Sequence, residues 1–140
     1  MKELIALLIK HEGIEFKPYE DTEGKLTIGV GRNLADVGIS RDEAMYLLRN
    51  DIDRAIEAAE KYPWFSRINP ARQAVVISMI FNMGPKRFSR FHKTINFIEA
   101  EMFQEAADEM LRSKWAYQVG RRATELSIIM HDGEFLENDS

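Results

Sequence analysis

Cysteine is absent from the 140 residues, which excludes disulfides, thiolate metal ligands and a cysteine nucleophile. Proline and glycine are sparse, at 4 and 8 residues, too few for a collagen-like or low-complexity chain. No apolar stretch approaches the ~20 residues that cross a bilayer. The longest are Leu4–Ile9 and Ala74–Phe81, the second interrupted by Ser78. The N-terminus opens Met-Lys-Glu and turns amphipathic at once, without the basic, apolar, small-residue order of a cleaved signal. This reading keeps the product in the cytoplasm with no stable membrane insertion. What remains is ordinary for one globular domain: 45% hydrophobic and 30% charged residues.

Charge is polarised along the chain. Residues 1–98 carry 15 basic against 13 acidic side chains, and residues 99–140 carry 4 against 10. A duplex-binding protein needs a basic face, because counterion release supplies much of its affinity. Here only Lys86, Arg87, Arg90, His92 and Lys93 cluster, and they read as a solvated face. Nucleic acid is therefore not an expected partner.

Residues 3–12 place Leu4, Ile5, Leu7, Leu8 and Ile9 at helical spacing, and Gly13 supplies the stop. From Phe16 to Val30 short β-prone runs flank Asp21-Thr22-Glu23-Gly24, whose first and fourth residues are those of a type I turn. A hairpin or three-stranded sheet follows. Period two puts Leu26, Ile28 and Val30 on one face and Thr27, Gly29 and Gly31 on the other. That second face, nearly free of side chains, reads as the floor of a cleft.

Ser40-Arg41-Asp42-Glu43 is a capping box ahead of a helix of roughly 20 residues. Asn69-Pro70 caps the next helix, and Ala74–Phe81 is the candidate buried centre. Gly84-Pro85 breaks that helix, with further helical segments at about 90–98, 99–112, 114–118 and 121–130. Trp64, Phe65, Met79, Phe81, Met102, Phe103 and Met110 are expected in the core, and Trp115 fits either packing or a cleft role. The architecture is α+β: a small antiparallel sheet in an N-terminal lobe, a long connecting helix and a helical C-terminal lobe, with lobes at about 1–60 and 61–140.

Glu12 ends the first helix, where the dipole and unpaired carbonyls disfavour negative charge and favour a carboxyl able to donate a proton. Asp21 heads a turn whose backbone N–H groups keep it ionised. An acid and an ionised carboxylate are what glycosidic hydrolysis requires: one protonates the leaving oxygen, the other activates water or stabilises a cation. The Thr27 hydroxyl, which both donates and accepts, suits the seating of that water.

Glu12, eight residues, Asp21, five residues, Thr27, then Ile28-Gly29-Val30-Gly31 resembles the signature of the phage-type lysozymes. The likeness continues through Phe81-Asn82-Met83-Gly84, Phe91 with Thr94, Trp115 and Arg121-Arg122-Ala123, covering about residues 1–133. It implies the bilobal lysozyme-like fold, with Glu12 as general acid, Asp21 as catalytic carboxylate and Thr27 as water-positioning residue. It also implies peptidoglycan as substrate, cut at the β-1,4 bond between N-acetylmuramic acid and N-acetylglucosamine. Gly29, Gly31, Asn82 and Arg122 become candidate substrate-binding residues. Arg122, or its neighbour Arg121, matches the arginine that pairs with the acid, a pairing that would oppose the dipole at Glu12.

No metal-ligand cluster or nucleotide loop is seen, and no cofactor is expected. The resemblance further implies a monomeric endolysin, released to the wall through a separately encoded holin. A lytic transglycosylase and a catalytically silent wall-binding or tail module are the rival readings. Arg32 stands where relatives often carry His, so no histidine-dependent pH switch in stability is expected.

Overall fold

The computed structural model describes residues 1–137. The chain forms two compact units, one ending at Leu47 and one beginning at Leu48, and the fold class is α+β. In the first unit, helix α1 (Lys2–Glu12) is closed by Gly13 at φ 76°, its N–H bonded to the Ile9 carbonyl. Strands β1 (Glu15–Glu20), β2 (Leu26–Gly29) and β3 (Arg32–Asn33) form an antiparallel sheet in that order. Tyr19 pairs with Thr27 and Glu20 with Leu26, but the register slips between Glu15 and Tyr19. Pro18, which has no N–H to give the ladder, lies in that stretch.

The expected reach of the second strand is corrected here. β2 ends at Gly29, and Val30-Gly31 form a turn into β3, so period two does not run on to Gly31. Both glycines sit at positive φ, 69° and 68°, a region that costs other residues dearly. Turn geometry, rather than a bare strand face, explains the pair.

Helix α2 (Arg41–Ala59) contains the boundary between the units. Its start realises the capping box in both directions: Ser40 N–H donates to Glu43 Oε1 at 2.8 Å, and Glu43 N–H donates to Ser40 Oγ at 3.1 Å.

The second unit holds the core. After a 3₁₀ turn (Phe65–Arg67) come α3 (Pro70–Met83), α4 (Pro85–Phe88), α5 (His92–Glu99), α6 (Phe103–Leu111), α7 (Lys114–Val119) and α8 (Arg121–Asp132). Asn69 caps α3 by accepting from Arg72 N–H, and Gly84 ends it at φ 88°. Ala71, Val75 and Met79 repeat every four residues, as do Val76 and Ile80, and all five are buried. Fully burying each larger member contributes roughly 1.5–3 kcal/mol.

Around α3 an aromatic chain runs from Trp64 to Tyr62, Phe88, Phe91 and Trp115, with successive centroids 5.1, 5.7, 6.4 and 6.2 Å apart. Trp64, Phe65, Met79 and Met110 are buried as expected, and Phe103 packs partly buried against them. Phe81 and Met102, expected inside, are left open by their own unit. Phe81 falls off the α3 stripe and Met102 precedes the first turn of α6.

Candidate functional site

Helical propensity carries α1 as far as Glu12, and Gly13 turns the chain immediately afterwards. The Glu12 carboxylate lies against Gly31: a Cβ built there would be 2.9 Å from Oε2 and 3.3 Å from Cδ of Glu12. Glycine at 31 thus serves two demands, a positive φ and the close approach of this carboxylate. Gly29 answers only the first, since a Cβ there meets nothing within 4 Å.

Asp21 heads the turn between β1 and β2, whose closing bond runs from Gly24 N–H to the Asp21 carbonyl at 3.0 Å. Its Oδ1 accepts the N–H groups of Glu23 and Lys25, both at 2.8 Å. Among the described residues no hydrogen bond reaches Oδ2. The carboxylate is held by one oxygen and presents the other.

Lys25 also joins Asp21 to Thr27. Its carbonyl accepts the Asp21 N–H at 2.9 Å and the Thr27 hydroxyl at 2.8 Å. The Thr27 side chain, only 3% exposed, therefore has its proton engaged and keeps its lone pairs for accepting. The structure brings Asp21 and Thr27 together through Lys25, and Glu12 together with Gly31. The sequence reading missed Lys25, because a main-chain acceptor leaves no mark on side-chain patterns.

Arg32 takes more partners than its place in the sequence suggests. Its guanidinium donates to both carboxylate oxygens of Glu43, at 2.9 and 2.7 Å, and to the Gly38 carbonyl at 3.0 Å. The Arg32 hydrogen bonds, with the Ser40 N–H, hold the Glu43 carboxyl down at about 2, and the same pairing raises Arg32.

In the second unit, Asn82 accepts the Trp115 indole N–H at 2.8 Å through Oδ1, which leaves its amide N–H groups to donate elsewhere. Trp115 is 1% exposed, which decides for packing. Arg122 is half-buried and donates to Ser78 Oγ at 3.3 Å, whereas Arg121 is exposed and pairs with Glu125 at 3.2 Å. A recess of about 420 Å³ is lined by Arg90, His92, Lys93, Thr94, Arg112 and Ser113 among others, so three residues of the basic cluster border a concavity. Among the described residues no three His, Cys, Asp or Glu side chains gather as metal ligands, and no helix is long and apolar enough to cross a membrane.

This arrangement offers one carboxyl beside a glycine turn and a second, oriented carboxylate linked to a hydroxyl. Known proteins resemble the chain over most of its length. The chain is 28% identical to probable T4-type lysozyme 1 of Dictyostelium discoideum, over 87% of this chain and 89% of that protein. It is 30% identical to the SAR-endolysin of Escherichia phage Mu, over 86% of this chain and 75% of that one. It is also 26% identical to the pre-baseplate central spike protein of Enterobacteria phage T4, matching 93% of this chain but 28% of the spike. Its function is lysozyme-like and its chemistry of the glycosidase type. Residues 9–128 match the phage lysozyme family, and the chain belongs to it.

Proposed function

We propose that the chain is a muramidase that hydrolyses the β-1,4 bond between N-acetylmuramic acid and N-acetylglucosamine in peptidoglycan. Glu12 protonates the leaving oxygen, Asp21 activates a water from the opposite side, and Thr27 seats that water with its lone pairs. The observation that carries this reading is the double use of Lys25, which fixes Asp21 and Thr27 relative to each other while leaving Asp21 Oδ2 unclaimed. Attack by water supported by Asp21 inverts the anomeric centre, so α-configured reducing ends form first.

Asn82, through its amide N–H groups, and Arg122 are assigned to the sugar chain, with Gly29 and Gly31 letting the glycan approach the turn. The biological role proposed is that of an endolysin acting at the periplasmic wall during host lysis. It acts as a monomer and leaves the cytoplasm through a separately encoded holin.

The test compares wild type, Glu12→Gln, Asp21→Asn and Thr27→Ala on purified peptidoglycan. Removing the acid or the base lowers kcat by about 10²-fold or more, and mass spectrometry finds products that have gained one water. Products lacking that water would replace hydrolysis by transglycosylation. Equal turnover by Glu12→Gln and wild type would remove Glu12 as the acid.

A further inference from the structure

We propose that Arg32 is a positioning residue for Glu12, acting through the turn that carries Gly31. The proposal rests on the reading of Glu12 as the general acid. The Glu12 carboxylate lies where a side chain on residue 31 would begin, so whatever fixes the Gly31 backbone narrows the positions open to the carboxylate. The turn is poorly equipped to fix itself. β3 is two residues long, pairing Thr27–Asn33 and Ile28–Arg32 with one further bond from Leu34 N–H to the Leu26 carbonyl at 2.8 Å, and glycines at 29 and 31 give the connection the greatest backbone freedom. Strand pairing this short is marginal on its own.

Arg32 follows Gly31 directly and supplies the missing restraint. Its planar fork takes both oxygens of Glu43 and still reaches the Gly38 carbonyl, a geometry that fixes orientation as well as distance. Glu43 is itself tied to Ser40 in both directions at the start of α2. Gly38 closes the loop after β3, its N–H bonded to the Leu34 carbonyl at 3.1 Å. Hydrogen bonds therefore run from the first turn of α2 through Glu43 to Arg32, whose chain neighbour Gly31 leaves the space that the Glu12 carboxylate occupies. Lysine at 32 would keep the charge but lose the fork. Displacing a reacting group by about 1 Å can cost up to 10²-fold in rate, and an indirect brace is expected to account for a fraction of that.

The experiment measures kcat and KM on soluble glycan strands for wild type, Arg32→Met, Arg32→Lys, Glu43→Gln and the Arg32→Met/Glu43→Gln double variant, well below each melting temperature. The Gly31 amide resonance is followed by ¹⁵N NMR in the same samples. Arg32→Met is expected to lower kcat about five- to tenfold with KM within about twofold, a loss confined to the chemical step. Glu43→Gln should match it, the double variant should add nothing, and Arg32→Lys should recover part of the loss.

Unchanged kcat in Arg32→Met, a loss carried by KM, or an unmoved Gly31 resonance would overturn the proposal. Glu12→Gln in the same assay separates the two readings. If it is inactive while Arg32→Met is normal, only the positioning role falls. If it is fully active, the assignment of the acid falls whatever Arg32 does.

Discussion

A Cβ on Gly31 would stand 2.9 Å from Oε2 of Glu12, whereas a Cβ on Gly29, two residues earlier, would touch nothing. The two glycines otherwise share a backbone demand, with φ of 68° and 69°. Alanine at either position is therefore expected to cost about 1–2 kcal/mol from positive φ alone, read as a fall in the urea midpoint. Only Gly31→Ala also displaces the carboxylate, so turnover of peptidoglycan should fall well below that of Gly29→Ala when both are assayed fully folded. Equal activity losses in the two variants would mean that the Gly31 contact has no part in catalysis.

Asparagine at position 21 separates the structural duty of Asp21 from its chemistry. Both main-chain bonds end on Oδ1, and an asparagine carbonyl still accepts both, though less strongly than a carboxylate. Asp21→Asn should keep its melting temperature close to wild type while turnover drops by about 10²-fold or more. Asp21→Ala removes the acceptor as well, and should add a destabilisation of about 1–2 kcal/mol for the lost turn bonds. If Asp21→Asn loses stability as Asp21→Ala does while retaining activity, Asp21 is a turn former and nothing more.

Local chemistry made much of the chain legible. Gly13, the Ser40–Glu43 capping box, Asn69-Pro70 and Gly84 each stop or start a helix through groups within four residues, and each acts in the structure as its sequence suggests. The turn opened by Asp21 was readable for the same reason. The strand containing Thr27 was misjudged because a period-two reading has no term for backbone angle, and two glycines at positive φ end the strand early. Arg32 in β3 and Glu43 in α2 are 11 residues apart across a loop, a separation that no periodic pattern relates. Phe81 and Met102 show the remaining weakness: an apolar side chain near a helix end follows the geometry of that end, and residue type alone does not bury it.

The pairing of Arg32 with Glu43 has a defined pH signature. Glu43 titrates near 4.5 when unpaired and at about 2 in the folded chain. A carboxyl lowered on folding contributes stability that is fully present above its unfolded value and is lost as pH falls through the folded one. The difference in urea midpoint between wild type and Glu43→Gln should be constant from neutrality to about pH 5. It should then shrink steadily toward pH 2. Arginine keeps its charge throughout this range, so no step is expected between pH 6 and 8 from this pair. A difference independent of pH would show that the ion pair adds nothing beyond the shape of the side chain.

Arg72 does for α8 what capping residues do elsewhere, from a different helix. Its Nε donates to the Met130 carbonyl at 2.7 Å and its Nη2 to the His131 carbonyl at 2.9 Å. These are final-turn carbonyls with no partner inside the helix, at the end where the dipole favours a cation. The guanidinium also lies 3.7 Å from the Phe103 ring centroid, which links α3, α6 and α8. Hydrogen bonds from a charged donor contribute more than neutral ones, but this side chain is half-exposed, so Arg72→Met is expected to cost about 2–3 kcal/mol in total. Arg72→Lys should recover less than half, because one ammonium cannot serve both carbonyls and the ring in the same geometry. Gly133 adds a control: at φ 72° its Cβ would meet Arg72 Cζ at 2.8 Å, so Gly133→Ala disturbs the same guanidinium from the other side. Combining Gly133→Ala with Arg72→Met should cost less than the two separately, since the clash disappears with the guanidinium. Urea denaturation at neutral pH measures all four variants, and a change within about 0.5 kcal/mol for Arg72→Met would place this residue among ordinary solvated surface positions.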